Sequence, residues 1–298
     1  MQTIIERWRP HVVVRESAEL ASLAAADGAG VPHVHVCIGM HEVLTRFAGA
    51  VAEPLDELGR LAGCPDGDLV RALAAEPVFS LVPQLLDHAP GREPPEGMIL
   101  SRFHEPAVRT GTDPLPAWGE PEHPLVYVTF GSVAGSIPHF AGVFREALDA
   151  LADLDARVLM TVGRAVDPEG LGPIPANALV RQWLPQADVL AQAAAMLGHG
   201  GFGTTMGALA AGVPQAVAPL FAFDQVVNGE HVAAVGAGVT TRIGPGGVAR
   251  AASRVRDLLT DPRYAASARR VATAMRELPP PSAAVPILTG LVQPPGAV

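Results

Sequence analysis

The sequence predicts an α/β fold built on parallel sheets, and three observations predict it. From Leu125 onward, short continuous apolar runs alternate with helix-spaced segments. The runs have strand length and are rich in Val, Leu and Ala, as strands covered on both faces require. Glycine-rich turns stand where strand-like runs pass into helix-like ones, the place where open α/β sheets bind ligands.

Each element of that half follows in order. LVYVTF (125–130) reads as a buried strand, and FAGVFREALDAL (140–151) has helical spacing. RVLMTV (157–162) and ALVRQW (178–183) are the next strands, followed by a short helix over 187–194. AMLG (195–198) is a fourth strand, and TTMGALAAG (204–212) a helix closed by Gly212 and stopped by Pro214. QAVAPL (215–220) and VTTRI (239–243) are strands on either side of a helix over 224–238. A further helix is expected over 247–260.

The first ~90 residues read as a thinner version of the same pattern. HVVV (11–14) and HVHVCI (33–38) are strands, with a helix over 19–30 between them. Helical patterns follow over 42–61 and 66–74, then a short apolar run VFSLV (78–82). Two or three parallel strands leave long unpaired edges, so this is expected to be the back half of an α/β domain. Eight prolines between Pro90 and Pro124 read as a linker, and 279–298 as a proline-rich tail with one short helix near 284–292.

Composition narrows the function classes. All 21 basic residues are Arg, which removes lysine Schiff-base chemistry and the lysine-dependent phosphate loop. A net charge of −9 argues against a nucleic-acid surface, which needs clustered basic residues. Cys37 and Cys64 are expected to be free thiols. Charged residues interrupt the N-terminal apolar residues, and prolines interrupt the longest apolar stretch, 208–223. Neither a signal peptide nor a membrane span is expected, and the location expected is cytoplasmic.

The segment LGHGGFGTTMGALAAG (197–212) carries the chemistry. Gly200, Gly201 and Gly203 let the backbone turn tightly and approach a ligand closely. The helix that follows offers free N–H groups and the positive end of its dipole to an anion. Thr204 and Thr205 add hydroxyls, and His199 adds an imidazole donor. Taken alone, these glycines fit a purely structural turn about as well. Three other strand-end segments shift the balance: RQWLPQ with Trp183, Leu184 and Gln186; APLFAFDQ with Asp224 and Gln225; and TFGSVAG with Ser132. An indole stacks on a base, and a carboxylate with an amide suits a polyhydroxylated ligand.

W-x-P-Q, then H-G-G-x-G-T-T, then P-L-x-x-x-D-Q at these spacings resembles the donor-binding domain of GT-B nucleotide-sugar glycosyltransferases. The likeness is nearest to bacterial enzymes that decorate macrolide and polyketide antibiotics, and it is strongest over 125–238. It implies two Rossmann-like domains with parallel sheets, the N-terminal one incomplete. Residues 1–110 would be a partial acceptor-side domain, 111–124 a linker, 125–278 the donor-binding domain and 279–298 the tail. Trp183 would stack on the base with the Leu184 backbone at its edge, and Gln186 would approach the ribose. His199, Gly200, Gly201, Gly203, Thr204 and Ser132 would hold the diphosphate, and Asp224 and Gln225 the sugar hydroxyls. The reaction implied is transfer of a (deoxy)sugar to a small natural-product acceptor by inverting, metal-independent displacement. No cofactor is implied beyond the donor, a dTDP- or UDP-sugar. A homodimer or an auxiliary protein partner is expected, and nucleic acid is not.

Two departures matter. Many relatives carry Glu at the position of Gly207, where it binds both ribose hydroxyls; its loss suits a deoxyribose, hence a dTDP-sugar. The family's base histidine, on a G-H-x-x-P-like turn, has no counterpart here. Glu16 matches the carboxylate that orients that base, and His41 follows a strand as a weak substitute; His11, His33 and His35 read as core or edge residues. About 90–100 residues of a full-length relative are therefore expected to be missing, with negligible transfer by this chain alone. A noncatalytic nucleotide-sugar-binding partner is the alternative, and a nucleotide-sugar epimerase a third reading.

Overall fold

The computed structural model describes residues 1–65, 67–89, 91–94, 96, 98, 100–104, 111, 116–140 and 142–292. The chain divides into two compact units. One comprises Met1–His88, Arg92–Glu105 and Glu277–Val298; the other comprises Ala89–Gly91 and Pro106–Arg276.

The first unit holds four parallel strands in the order β1-β2-β3-β4: Val13–Glu16, His33–Cys37, Val78–Ser80 and Leu100–Arg102. β4 lies inside the proline-rich stretch expected as linker, of which 90, 95, 97, 99, 105–110 and 112–115 fall outside the described residues. One face of the unit is built from the helices Leu20–Gly28, Ala52–Ala62 and Asp68–Ala75, through Leu23, Leu55 and Leu69. A second cluster joins Val34, Phe79 and Phe103 to the helix Ala284–Leu291. The segment expected as a tail thus groups with this unit as far as residue 292, and 293–298 lie outside the described residues.

The helix expected over 42–61 is two helices, His41–Ala50 and Ala52–Ala62, with a break at Val51. Pro54 explains the break. It has no N–H for the Ala50 carbonyl, and its ring crowds that carbonyl four residues back. The helix expected over 247–260 is likewise split at 253–254. There the Arg254 N–H bonds to Ala251, three residues back rather than four.

The second unit holds six parallel strands in the order β10-β9-β8-β5-β6-β7. They are β5 Leu125–Thr129, β6 Arg157–Thr161, β7 Ala178–Arg181, β8 Ala193–Gly198, β9 Gln215–Val217 and β10 Gly238–Thr240. β5 is buried throughout and feeds both faces. Val126, Val128 and Phe130 point into one cluster with Phe144 and Met160; Leu125 and Tyr127 point into the other with Leu159, Met196 and Ala208. Continuous apolar runs are what a strand covered on both sides needs. The helix Pro262–Arg276, the longest described, packs its Ala268, Val271, Ala272 and Met275 side toward the helix Phe202–Ala210. From β5 the chain runs outward through β6 and β7, then returns to β5's other side at β8. The strand order reverses there, and a crevice opens beyond the carboxyl ends of β5 and β8.

Candidate functional site: the cleft beyond β5 and β8

A cleft of about 630 Å³ occupies that crevice. Four strand ends supply its walls: Thr129–Ser132 after β5, Thr161–Arg164 after β6, Trp183–Gln186 after β7, and Gly203–Thr204 after β8. Of the residues singled out in the sequence, Ser132, Trp183, Leu184, Gln186, Gly203 and Thr204 line it. Trp183 is 57% exposed, a large ring left facing solvent. The Arg164 guanidinium stands 5.5 Å from its centroid, and among the described residues Arg164 is the one charged residue lining the cleft. Leu184 packs below, against the buried cluster around Tyr127 and Val189.

His199, Gly200 and Gly201 form the turn that enters the helix Phe202–Ala210. No side chain caps that helix. Its first N–H groups are therefore available to an anion. The glycines are there for sterics. Gly200 has φ +86°, and a Cβ on it would lie 2.6 Å from the Gln225 carbonyl oxygen. A Cβ on Gly201 would run into His199 Nε2, and one on Gly131, at φ +74°, would lie 2.8 Å from His199 Cε1. The imidazole is slotted between two glycine backbones. It is 8% exposed, and burial pushes its pKa down to about 4, so it is neutral near pH 7. Its Nδ1 is buried without a hydrogen-bond partner. An unpartnered buried nitrogen is costly to maintain, and a ligand or an ordered water beside it would complete the bonding.

Two elements hold this turn from below. Asn228, fully buried, donates from Nδ2 to the Gly200 carbonyl at 2.8 Å. Gln225, 3% exposed, accepts the Leu220 and Phe221 N–H groups on Oε1, at 2.8 and 3.2 Å. Gln225 thus fixes the turn that leads into the helix Phe223–Ala234, in place of the open presentation expected for a sugar ligand. Asp224 is partly buried, its pKa raised by desolvation, and neither residue lines the cleft. Thr205 is a correction: it is fully buried, with its backbone carbonyl accepting from Gln215 Nε2, so it offers the cleft no hydroxyl.

Gln186 opens the helix Gln186–Leu190 and lies over Gly207, where any added Cβ would strike its Nε2. The amide therefore occupies the space in which a residue-207 side chain would begin. Sequence reasoning missed Gly131, Arg164, Asn228 and the hydrogen-bonded pair Tyr127–Thr161 (2.8 Å) on the cleft floor. Asn228 was within reach, since it falls one helical turn after Asp224 and so shares its face.

On the acceptor side of the prediction, Glu16 is exposed and accepts the Ala18 N–H at 3.0 Å, capping its own turn. His41 is buried, with its backbone N–H and its Nδ1 both on Asp87 Oδ1, at 2.9 and 3.0 Å. Burial opposes charge on Asp87, but the bonds from His41 and the Arg102 guanidinium bring its pKa below the usual carboxylate value. Asp153 and Asp155 sit exposed between helix and strand. Among the described residues, no group of three or more His, Cys, Asp or Glu stands together as a metal site, and no helix is long and apolar enough to cross a membrane.

Residues 145–291 match the family model of the erythromycin biosynthesis protein CIII-like C-terminal domain. An L-demethylnoviosyl transferase from Streptomyces niveus is 30% identical over 286 residues, covering 95% of this chain and 71% of that protein. The chain belongs to the antibiotic glycosyltransferases of the GT-B fold. The glycosyltransferase SnogD from Streptomyces nogalater superposes with a TM-score of 0.69 at 26% identity, over 98% of this chain and 77% of its own. The spinosyn rhamnosyltransferase SpnG complexed with thymidine diphosphate gives a TM-score of 0.76 at 21% identity, over 96% and 75%. Within this GT-B family frame, the cleft belongs to the unit built on the six-stranded sheet, and the four-stranded sheet is the incomplete partner.

Proposed function

We propose that the cleft binds the nucleoside diphosphate of a dTDP-sugar and that the protein serves transfer of its sugar to a small natural-product acceptor, with inversion and without a metal. One observation carries the reading. A neutral, buried imidazole with an unpartnered Nδ1 packs behind Gly131 of the crevice and against Gly201 at an uncapped helix N-terminus, and an exposed indole forms the crevice wall. Base stacking falls to Trp183, and the diphosphate to Ser132, Gly201, Gly203, Thr204 and His199. Charge develops on the diphosphate as the anomeric bond breaks, so donors fixed before the reaction stabilise the transition state more than the ground state. Gln186 reaches the ribose over Gly207, where a deoxyribose needs no second acceptor. Asp224 offers the carboxylate for sugar hydroxyls, while Gln225 and Asn228 hold the turn.

A second reading, a nucleotide-sugar-binding partner without catalysis, has an observation of its own. His33, His35 and His41 are held on Glu76 and Asp87, and Glu16 caps its own turn. The test has two arms on the pure 298-residue chain. Calorimetry should detect dTDP binding that weakens at least tenfold in Gly201→Ala; equal binding by that variant sinks both readings. Transfer of a labelled sugar from dTDP-sugar to a hydroxylated aromatic acceptor supports the first reading, and dTDP binding without any transfer supports the second.

A further inference from the structure

The buried polar cluster of the first unit has a different chemistry from the donor cleft. In the parallel register β1 pairs Val13 with His33 and Arg15 with His35, and β2 pairs His35 with Val78. Side chains alternate along a strand, so Arg15, His33 and His35 fall on one face, with Ser17 just after β1 and Glu76 just before β3 reaching the same group. Glu76, buried, takes Arg15 on Oε1 and His33 Nδ1 on Oε2 at 2.8 Å. Burial opposes its charge, yet the two histidines and Arg15 bring its pKa down to about 2, so it is a carboxylate at neutral pH. His35 Nδ1 lies 3.3 Å from Glu76 Oε1, and its Nε2 lies 3.0 Å from Ser17 Oγ. The Ile38 N–H donates to the same Oγ at 3.3 Å. With Nδ1–H facing the carboxylate, Nε2 is the acceptor and the Ser17 hydroxyl is the donor. Ser17 and His35 both line a cavity of about 670 Å³ whose other walls include Leu44, Phe47, Leu73 and Met98.

We propose that Ser17, His35 and Glu76 form a serine nucleophile, base and orienting carboxylate that cleave esters of apolar acids or alcohols bound in this cavity. The geometry meets the requirements of that chemistry: nucleophile and base in hydrogen-bond reach, the base oriented by an anion, and an apolar pocket beside them. Ser17 Oγ attacks the ester carbonyl as its proton passes to His35 Nε2. The C–O bond breaks, and the departing alkoxide takes that proton. Water then attacks the acyl-serine and gives a proton to His35; the acyl–Oγ bond breaks, the acid departs, and His35 returns the proton to Ser17 Oγ. Ester and water become acid and alcohol. The proposal is independent of the sugar-transfer reading, since no donor-cleft residue takes part.

The experiment treats the full chain with a fluorophosphonate probe and reads the adduct by intact mass and peptide mapping. One adduct on Ser17 is expected, absent in Ser17→Ala. The labelling rate should fall on the order of 100-fold or more in His35→Gln, the loss typical of a general base. Ser17 is only half-buried, and a thermal melt by circular dichroism that matches the unaltered chain reports that Ser17→Ala is folded. Hydrolysis of p-nitrophenyl butyrate should follow the same order. Absence of a Ser17 adduct, labelling of folded His35→Gln at the wild-type rate, or hydrolysis that survives Ser17→Ala would overturn the proposal.

Discussion

The burial of His199 makes a quantitative prediction about acid. Its pKa is about 4 in the fold against an ordinary value of 6.5, a difference of about 2.5 units. The unfolded chain therefore takes up a proton near pH 6.5 that the folded chain refuses until near pH 4. Stability from this group is complete above pH 6.5 and is lost as pH falls from 6.5 through 4. At about 1.4 kcal/mol per unit, the full loss is on the order of 3 kcal/mol, and between 2 and 3 kcal/mol of it, roughly, is gone at about pH 4.5. The assay is urea unfolding at about pH 7.5 and 4.5, followed by tryptophan fluorescence in a Trp8→Phe background. The two remaining tryptophans, Trp118 and Trp183, both lie in the second unit. His199→Gln has no proton to take up. It should lose roughly 2–3 kcal/mol less than the histidine protein over the same interval. Identical pH dependence of the two would refute the reasoning, because it would mean that the imidazole accepts its proton in the folded turn.

Further outcomes follow from the same geometry. Trp183→Ala should weaken dTDP binding by ~1–3 kcal/mol, and the quenching of Trp183 fluorescence by dTDP should vanish with it. dTDP should raise the melting temperature more than UDP at equal concentration. Gly207→Glu, which displaces the Gln186 amide, should narrow or reverse that preference; a larger shift with UDP in the unaltered chain would contradict the deoxyribose assignment. Gln225→Ala leaves the Leu220 and Phe221 N–H groups without their acceptor. It should cost about 1–3 kcal/mol in urea unfolding, whereas a purely ligand-facing glutamine would change dTDP-sugar affinity and leave stability alone.

The fold of the second unit was legible because it is written in local sequence. A strand, a glycine turn and a helix start are consecutive in the chain, so the turn His199–Thr204 is recognisable as a candidate site without tertiary knowledge. The walls of the cleft required only that strand ends converge, which the parallel pattern implies. What stayed hidden depends on cross-chain packing. Gly131 is informative only when the His199 ring is seen against it, 68 positions later. Gln225 looked like a ligand group because Asp-Gln suits a sugar, yet its oxygen is taken by Leu220 and Phe221. β4 was lost among prolines, since a three-residue strand has no periodicity to detect. The helix Pro262–Arg276 has no element assigned to it from the sequence, although Ala268, Val271, Ala272 and Met275 recur at the i, i+3, i+4, i+7 spacing of an amphipathic helix.

The glycine turn shows why the hidden part matters more than the legible part. Glycines at 200, 201 and 203 permit an anion site, but they do not distinguish it from an ordinary turn. The distinction comes from the neighbours that make any side chain impossible: the Gln225 carbonyl against Gly200, and the His199 ring against Gly131 and Gly201. A structural turn has no need to hold an imidazole neutral in its interior with one nitrogen unpartnered. That arrangement destabilises the protein, and under the proposed reading a phosphate oxygen accepting from the ring would relieve it. Function is thus read from the cost. Gln225 is assigned to the support of the turn because its Oε1 already accepts the Leu220 and Phe221 N–H groups, and Asn228 holds the Gly200 carbonyl through its Nδ2.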